Sequence, residues 1–556
     1  EKMINQIKQA NEYTEDWQKT AVYRLVQICR EVSSKYTRSK VRKKMPREFS
    51  GVIDELLYVD NTDDNKTEYY SELINTLIDV RVADSFIVVI CSLIRSLTID
   101  NLHIRGDIFD RGPRPDIILE ELMHFHDVDI QWGNQDISWR GAATGNRACI
   151  CNVLRMALGY NGFDVLEDGY GINLRPLSMF AERVYRDDPC TCFLPQILDK
   201  NIYDAVDPKL AAKMHKAIAV LQYKEEGQII KRHPEYGMEE RILLSAIRYD
   251  RGTVTIDGKE YPMRDMNFPT VDPADPLRLT DEEEELLHTL ELSFRHNARL
   301  HEHVRFLYSN GSMYKCCNSN LLYHGCIPMT ENREFDGLMV GGKMYRGKEL
   351  MDFIDTQVKN AYFLPEDAPE KEACRDFMWY LWNGAKSPVF GKDKNRSFEH
   401  YFIEDPEVMR ETMNPYYQLS EEEETCDMIL KEFGLPTKGS HIINGHMPVK
   451  IKSGETPIRA GGKLFIIDGG LSKAYQERTG IAGYTLIFNS HHLALAEHKP
   501  FDPERERTPK VYIVEKMQKR ITVADTDEGK ELAGRIEDLK ELLKAYRSGL
   551  LKERIR

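Results

Sequence analysis

The chain has 556 residues, enough for more than one domain, because a single hydrophobic core stops growing near ~250–300 residues. Its net charge of −14 argues against nonspecific binding to nucleic acid or to anionic membranes, which require a basic surface. It has no apolar run of the ~20 residues that a membrane span needs, and its eleven cysteines lack zinc-site spacing. We therefore expect a cytoplasmic protein with reduced thiols, for which a small anionic substrate remains possible.

Residues 1–83 predict an N-terminal helical segment, with apolar residues recurring at three- and four-residue spacing (Val22, Leu25, Val26, Cys29, Val32). The basic stretch at 35–47 is interpreted as a solvated helix end, because no aromatic platform for nucleic acid accompanies it. The chain begins at Glu1, inside a helical pattern, which suggests a fragment or a processed chain.

Residues 84–136 predict a β-α-β unit, preceded by an apolar run at 86–94 that suits a buried strand or helix. A short strand leads to "GDIFDRG", a helix is expected at 116–125, and "VDIQWGNQD" reads as a second strand and loop. The polar residues of this unit stand at the carboxyl ends of the strands, where open α/β sheets place their sites.

The remainder of the chain predicts a large insertion followed by further strands. Residues 137–300 read as a mainly helical cap that lies over the site, and residues 301–510 as a second set of strands with Gly-rich turns. Residues 511–556 read as a strand and an amphipathic charged helix. The expected fold class is α/β, with sheets flanked by helices.

Four side chains at strand ends form a candidate metal-ligand set. Asp107 follows the first strand and Asn134 the second, while His324 in "YHGC" and His446 in "NGHMP" each follow an apolar strand beside a glycine. Oxygen and imidazole ligands suit Mn, Fe or Mg ions better than a structural zinc site. Arg111 stands close behind Asp107 and can hold a phosphate through two oxygens. We expect the four ligands to converge on one point.

The motifs resemble the calcineurin-like metallophosphoesterase superfamily. Along nearly its whole length, the sequence is similar to the class III fructose-1,6-bisphosphatases of bacteria. Segments that carry the similarity include "LHIRGDIFDRGPRPD", "FLYSNGSMYKCCNSNLLYHGCIP" and "IDGGLSKAYQERTGIAGYTLIFNS". This resemblance implies a calcineurin-like core. It also implies hydrolysis of the 1-phosphate of fructose 1,6-bisphosphate with manganese, in gluconeogenesis, by two metal ions.

The resemblance also implies residue roles. Asp107 would bridge the two metals, and Asn134, His324 and His446 would complete the shell of the second. Arg111 would hold phosphate, and Asp136 would orient the acid that protonates the leaving oxygen. Lys473 and Tyr475 suit a second phosphate, and equally suit a surface turn. Three further histidines are interpreted as solvent-facing or packing residues (His491, His492, His498).

Two departures from the family pattern bear on activity. The Asp-x-His-Gly segment that supplies further ligands to the first metal does not occur in this sequence, and it belongs before the position of Glu1. Gln135 stands where the family has a histidine, and an amide cannot shuttle a proton near neutral pH. We therefore expect weak activity from the chain as given, and little gain from Gln135→His alone.

Two other functions remain open from the sequence. One is a phosphatase for another phosphomonoester, including a protein serine/threonine phosphatase. The other is a non-catalytic relative that binds a sugar phosphate or a partner without turnover. The sequence leaves a homo-oligomer possible and predicts no nucleic-acid or membrane partner.

Overall fold

The computed structural model describes residues 2–58, 64–197, 206–500, 502 and 508–552. The chain forms two compact units: residues 1–103 with 125–129, and residues 104–124 with 130–556. None of the helices in the described ranges is long and apolar enough to cross a membrane.

The first unit is helical. Its helices are α1 (Lys2–Gln9), α2 (Glu15–Ser33), α3 (Arg38–Lys44), α4 (Ser50–Tyr58), α5 (Asp64–Asp79) and α6 (Ala83–Thr98). Thr14 caps α2, since its hydroxyl accepts the Trp17 N–H (3.1 Å). The core is built mainly by α2, α4, α5 and α6, whose apolar residues repeat at helical spacing; α2 buries Val22, Val26 and Cys29. Four of the five basic residues of α3 form ion pairs with two carboxylates, Asp54 and Asp100.

Two short strands have residues in both units, β1 (Leu102–Ile104) and β2 (Val128–Gln131). The helix between them is α7 (Pro115–Met123). Within the second unit, β2 runs parallel to β6 (Gly311–Ser312), with Ile130 opposite Gly311. This β-α-β arrangement is the one expected from the sequence.

A helical region follows β2 in the second unit. Its helices are α8 (Asn134–Ala143), α9 (Arg147–Gly159), α10 (Arg175–Val184), α11 (Pro208–Arg232), α12 (Asp281–Arg295) and α13 (Ala298–Ser309). The long helix α11 packs against α9 and is buried on most sides. The region also holds a small antiparallel sheet that the sequence pattern did not indicate: β3 (Ile247–Arg248), β4 (Thr253–Ile256) and β5 (Lys259–Pro262).

Charged groups inside this helical region are paired. Lys216 and Lys224 of α11 have fully buried side chains. The Lys216 ammonium donates to Asp188 (2.5 Å) and Asp265 (2.6 Å). The Lys224 ammonium donates to Glu283 (2.7 Å). Each buried ammonium therefore has a carboxylate partner, as burial of a charge requires.

The rest of the second unit centres on a five-stranded sheet with the order β12-β13-β11-β8-β7. Its strands are β7 (Tyr314–Cys317), β8 (Asn320–Tyr323), β11 (Ile442–Asn444), β12 (Ile458–Arg459) and β13 (Leu464–Ile466). The three central strands β8, β11 and β13 are parallel, so their carboxyl ends lie at one edge. The candidate functional residues that follow β8 and β11 therefore lie at this edge of the sheet.

The other elements complete the second unit. The helices are α14 (Gly347–Phe363), α15 (Lys371–Asn383), α16 (Ser397–Phe402), α17 (Tyr416–Leu419), α18 (Glu423–Glu432), α19 (Lys473–Thr479) and α20 (Asp527–Arg547). The strands are the hairpin β9 (Gly337–Val340) with β10 (Lys343–Arg346), and the antiparallel sheet β14 (Gly483–Phe488), β15 (His492–His498) and β16 (Lys510–Lys516). The inner face of that sheet packs against Leu322, Ile443 and Phe465 of the central sheet.

The structure decides whether the apolar run at 86–94 is a strand or a helix, and it shows that the boundary predicted before residue 84 was wrong. The apolar run at 86–94 is helical, as part of α6. This helix belongs to the first unit, whereas the sequence pattern grouped residues 84–136 with the sheet. The physical reason is that the buried face of α6 (Phe86, Ile90, Leu93, Leu97) completes the apolar cluster of the N-terminal helices.

Candidate metal centre and phosphate site

The loop after β1 holds Asp107 in an uncommon backbone conformation. Asp107 has φ +54° and Gly106 has φ +78°, so two successive residues are left-handed. A Cβ at position 106 would lie 2.3 Å from the Gln131 carbonyl oxygen, so only glycine fits there. His446 is also left-handed, with φ +65°. Such strained residues concentrate at functional sites.

The Asp136 carboxylate links the loop after β1 to the loop after β2 through hydrogen bonds. Its carboxylate accepts the main-chain N–H of Asp107 (2.7 Å), Ile108 (2.9 Å) and Gly133 (3.0 Å). In return, the Gln135 N–H donates to Asp107 Oδ1 (3.0 Å). Burial and the nearby Asp107 charge raise the pKa of Asp136 to about 6. The carboxylate of Asp136 thus sets the direction in which Asp107 points.

Asp107, His324 and His446 come together, as three of the four expected ligands. His324 directly follows β8 and His446 lies two residues after β11. The Asp107 Oδ2 atom is 3.2 Å from His324 Nε2 and 3.9 Å from His446 Nδ1. Their candidate ligand atoms all lie within 4.8 Å of one another, and no other such group of His, Cys, Asp and Glu occurs among the described residues.

The outward nitrogen of each histidine is engaged by a main-chain carbonyl. His324 Nδ1 donates to the Arg105 carbonyl, and His446 Nε2 donates to the Phe390 carbonyl (3.0 Å). These hydrogen bonds turn the lone pairs of His324 Nε2 and His446 Nδ1 towards each other, at 3.1 Å. Two imidazole lone pairs and a carboxylate then face one point, which is the arrangement found around a bound cation.

A proton can take the place of a cation in this cluster. Burial alone would lower the pKa of His324, but the charge and hydrogen bond of Asp107 raise it to about 9. Burial lowers the pKa of His446, and the neighbouring His324 lowers it further. The Asp107 carboxyl has a lowered pKa, because both histidines outweigh its burial. The cluster therefore holds a positive charge between Asp107 and the imidazoles.

Asn134, the fourth expected ligand, is the first residue of α8 and is buried. It stands beside Gln135, whose N–H contacts Asp107, so its main chain belongs to the same loop. A Cβ at Gly133 would lie 2.1 Å from Asp107 Oδ1, which shows how closely this loop approaches the carboxylate. The ligand role of the Asn134 amide remains a prediction.

Arg111 is held between two aromatic rings. Its guanidinium carbon lies 4.6 Å from the ring centre of Tyr160 and 5.0 Å from that of Tyr475. Its Nε atom is 3.6 Å from the Asp110 carboxylate. Burial raises the pKa of Asp110 to about 7, although the charge of Arg111 opposes the shift. Contact with two aromatic faces limits the positions that the guanidinium can adopt.

The two other residues predicted to bind substrate, Tyr475 and Lys473, lie in different surroundings. Tyr475 contacts Arg111, whereas Lys473 is exposed in the first turn of α19. Among the three remaining histidines, His492 contacts Asn489 (3.0 Å), His498 contacts Thr485 (2.7 Å) and His491 is exposed. None of the three belongs to the candidate metal-ligand group among the described residues.

Three residues of the site region were missed from the sequence: Asp110, Tyr160 and Asp468. Asp468 lies two residues after β13, so it shares the sheet edge with His324 and His446. Its Oδ1 atom accepts the Gly470 N–H (2.8 Å), and burial and the charge of Asp107 raise its pKa. The signal was available, because "DGG" follows the apolar strand "KLFII" just as "GD" follows β1. Tyr160 follows α9 and gave no such signal.

A carboxylate after β1 and two oriented imidazoles after the adjacent strands β8 and β11 suit the class of hydrolases that act on phosphate esters with metal ions. Comparison with known proteins gives the particular family. Residues 1–548 match the family model described as "Firmicute fructose-1,6-bisphosphatase". The chain belongs to this family of phosphatases.

Curated relatives agree with the family model. The chain is 50% identical over 556 residues to the "Fructose-1,6-bisphosphatase class 3" of Clostridium tetani, which covers 99% of this chain and 84% of that protein. It is 50% identical over 563 residues to the protein of the same name from Bacteroides fragilis, with 100% and 85% covered. No solved structure matches the chain.

Proposed function

We propose that this protein hydrolyses the 1-phosphate of fructose 1,6-bisphosphate to give fructose 6-phosphate, in gluconeogenesis, on a calcineurin-like core. Family membership supports the substrate, and the site supports the reaction class. The observation that carries the proposal is the cluster of Asp107, His324 and His446, in which two fixed imidazole lone pairs and a carboxylate face one point. All eleven cysteines are free, which favours a reducing, cytoplasmic location.

The donor set fits a divalent cation of the manganese type. Asp107, Asn134, His324 and His446 would hold it. When bound, a pair of such ions polarises phosphoryl oxygens and supplies a nucleophilic water near neutral pH. Arg105 and Phe390 contribute only their carbonyls, which keep the imidazole rings in the ligating orientation.

The substrate phosphate is proposed to lie against Arg111. The Arg111 guanidinium lies over the rings of Tyr160 and Tyr475, and it is proposed to donate two hydrogen bonds to phosphate oxygens. Tyr160 follows α9, so the helical region at 137–300 contributes directly to this position, as a cap over the site would. Tyr475 supports Arg111 at the first phosphate, and the exposed Lys473 at the start of α19 is proposed to bind the second phosphate, which distinguishes a bisphosphate from a simple ester.

Asp136 is proposed to fix the positions of the loops that carry Asp107 and Gly133. Both of its oxygens accept main-chain N–H groups, so it fixes Asp107 and would affect the leaving group only through this loop. Gln135 can hydrogen-bond the leaving oxygen but cannot give it a proton. Gln135 is also the observation that favours the second candidate, a relative that binds sugar phosphate and turns it over slowly or not at all.

The decisive experiment measures phosphate release from fructose 1,6-bisphosphate with added Mn²⁺ and identifies the product by phosphorus NMR. We expect fructose 6-phosphate, with no release from fructose 6-phosphate itself and less from an aryl phosphate. His446→Gln should abolish the release, and His492→Gln is the matched control on β15 that should retain it. Tight binding of the bisphosphate without turnover would establish the second candidate. Preference for the aryl phosphate would overturn the substrate assignment.

A further inference from the structure

The C-terminal helix α20 exposes a regular apolar seam. The seam comprises Leu532, Ile536, Leu539, Leu543 and Tyr546, which alternate in steps of four and three residues. Their exposed fractions are 42%, 51%, 63%, 48% and 44%, respectively. This spacing is the heptad pattern that packs one helix against another, with d positions at 532, 539 and 546 and a positions at 536 and 543. A seam of this kind requires a helical partner.

The rest of α20 gives no sign of another use for the seam. In the described part of the chain, Gly529 is the only buried residue of this helix. Its charged residues pair within the helix, as Arg535 with Glu531 (2.5 Å), Lys540 with Glu537 (2.7 Å) and Lys544 with Glu541 (2.6 Å). At its start, the Asp527 carboxylate accepts the Asn318 N–H (2.6 Å). Surface helices ordinarily depend on burying their apolar face, so this helix lacks its usual support.

We propose that α20 packs antiparallel against α20 of a second copy of this chain, joining two copies through a two-stranded coiled coil. The seam is self-complementary when the two helices run in opposite directions about position 541. Ile536 then faces Tyr546 of the second copy, and Leu539 faces Leu543, so each a position meets a d position. Leu532 faces Leu550 of the second copy, an exposed leucine just beyond the helix end.

The flanking residues favour the antiparallel direction over the parallel one. Leu542 occupies a g position and is 43% exposed. In the antiparallel register Leu542 of the two copies face each other and widen the apolar contact, because g positions meet g positions. The only close like-charge contact is between the two copies of Lys540, each already paired with Glu537.

In the parallel register, the same side chains oppose association. Arg535 at a g position would face Lys540 of the other copy, and this repulsion would occur twice. Leu542 would face Arg547 instead of another leucine. The charge pattern and the apolar pattern therefore select the same direction.

Mass measurement on the full chain tests the association. Light scattering should give a mass of twice 64.5 kDa for the unaltered protein. Leu539→Lys places a charge in the seam and should raise the dissociation constant at least about tenfold, since a single seam charge specifies against pairing. Asp538→Lys introduces the same side chain one residue away, on the outer face, and should leave the mass unchanged. A monomeric unaltered protein, or equal effects of the two substitutions, would overturn the proposal.

Cysteine cross-linking tests the direction. Leu542→Cys should form a disulfide between copies under mild oxidation, because the two residues face each other only in the antiparallel register. Leu539→Cys should not, since it faces Leu543 of the other copy. Cross-linking of Leu539→Cys instead would establish a parallel pair and overturn the register. Cross-linking of the unaltered protein, which has an exposed Cys91, sets the background.

Discussion

Two buried groups of charged side chains in the second unit differ in how their charges are balanced. In the helical region, Lys216 and Lys224 are each matched by carboxylates within 2.7 Å. At the sheet edge, Asp107, His324 and His446 gather three ligand atoms within 4.8 Å with no ammonium or guanidinium among the three. In the first group carboxylates supply the balancing charge, whereas in the second a proton on His324 supplies it, and a bound cation would displace that proton. A balancing charge that can be exchanged is what we expect of a ligand site.

Removing the carboxylate at the sheet edge should have the largest effect. Asp107→Asn keeps the shape of the side chain but removes the charge that both histidines face. We expect Mn²⁺-dependent phosphate release to fall by on the order of 10³-fold, since metal-borne stabilisation of the reaction is worth several kcal/mol. Metal analysis of the dialysed protein should show lower Mn²⁺ content. Unchanged content and activity would contradict the assignment of Asp107.

The second largest effect should come from breaking one ion pair of the helical region, which should lower the free energy of unfolding. Lys224→Met leaves Glu283 buried without its partner, which should cost about 3–5 kcal/mol of unfolding free energy. The matched double variant Lys224→Met/Glu283→Gln removes both charges and should recover at least half of that loss. Urea denaturation measures both. If the double variant were no more stable than the single one, charge balance would not be the cause.

The two regions should respond to pH with opposite signs. The His324 pKa of about 9 lies above its unfolded value near 6.5, so its contribution is present below pH ~6.5 and lost as pH rises towards 9. The His215 pKa, lowered by burial to about 3, gives a contribution present above pH ~6.5 and lost as pH falls towards 3. Each slope is at most about 1.4 kcal/mol per pH unit.

Metal-free protein is the sample for this measurement, with denaturation curves from pH 4 to 9. His324→Gln should remove the alkaline loss of stability and keep the acid one, and His215→Gln should do the reverse. Mn²⁺ must displace the His324 proton, so its affinity should rise by about tenfold per pH unit below pH ~9. Identical pH profiles in the two variants would show that neither histidine controls the slope.

Gln135→His should have the smallest effect on the fold. The main-chain N–H of residue 135, not its side chain, holds Asp107, so the unfolding free energy should change by no more than about 1 kcal/mol, the usual size for a point substitution. Any gain in phosphate release then reports proton donation by the new imidazole. Mn²⁺ affinity measured alongside should be unchanged. A large loss of affinity would show that the glutamine side chain itself supports the metal centre.

The strand-end residues were predictable from the sequence because glycine and histidine or aspartate directly follow short apolar runs, as at Asp107, His324 and His446. The parallel order of β8, β11 and β13 then brings their ends together. The stacking of Tyr160 on Arg111 was not predictable, because it joins residues through tertiary packing without a local pattern. The split at α6 was missed because an apolar run of nine residues fits a helix or a strand equally well.

The three hydrogen bonds that the Asp136 carboxylate accepts from main-chain amides have a kinetic consequence. The N–H groups of Asp107, Ile108 and Gly133 share one acceptor, although they come from two loops separated by α7 and β2. Their hydrogen exchange with solvent should therefore proceed in step, as one cooperative opening. The main chain of Asp107 can move away from the candidate metal position only when the same hydrogen bonds break, so the rate of that opening sets an upper limit on how fast this loop can rearrange.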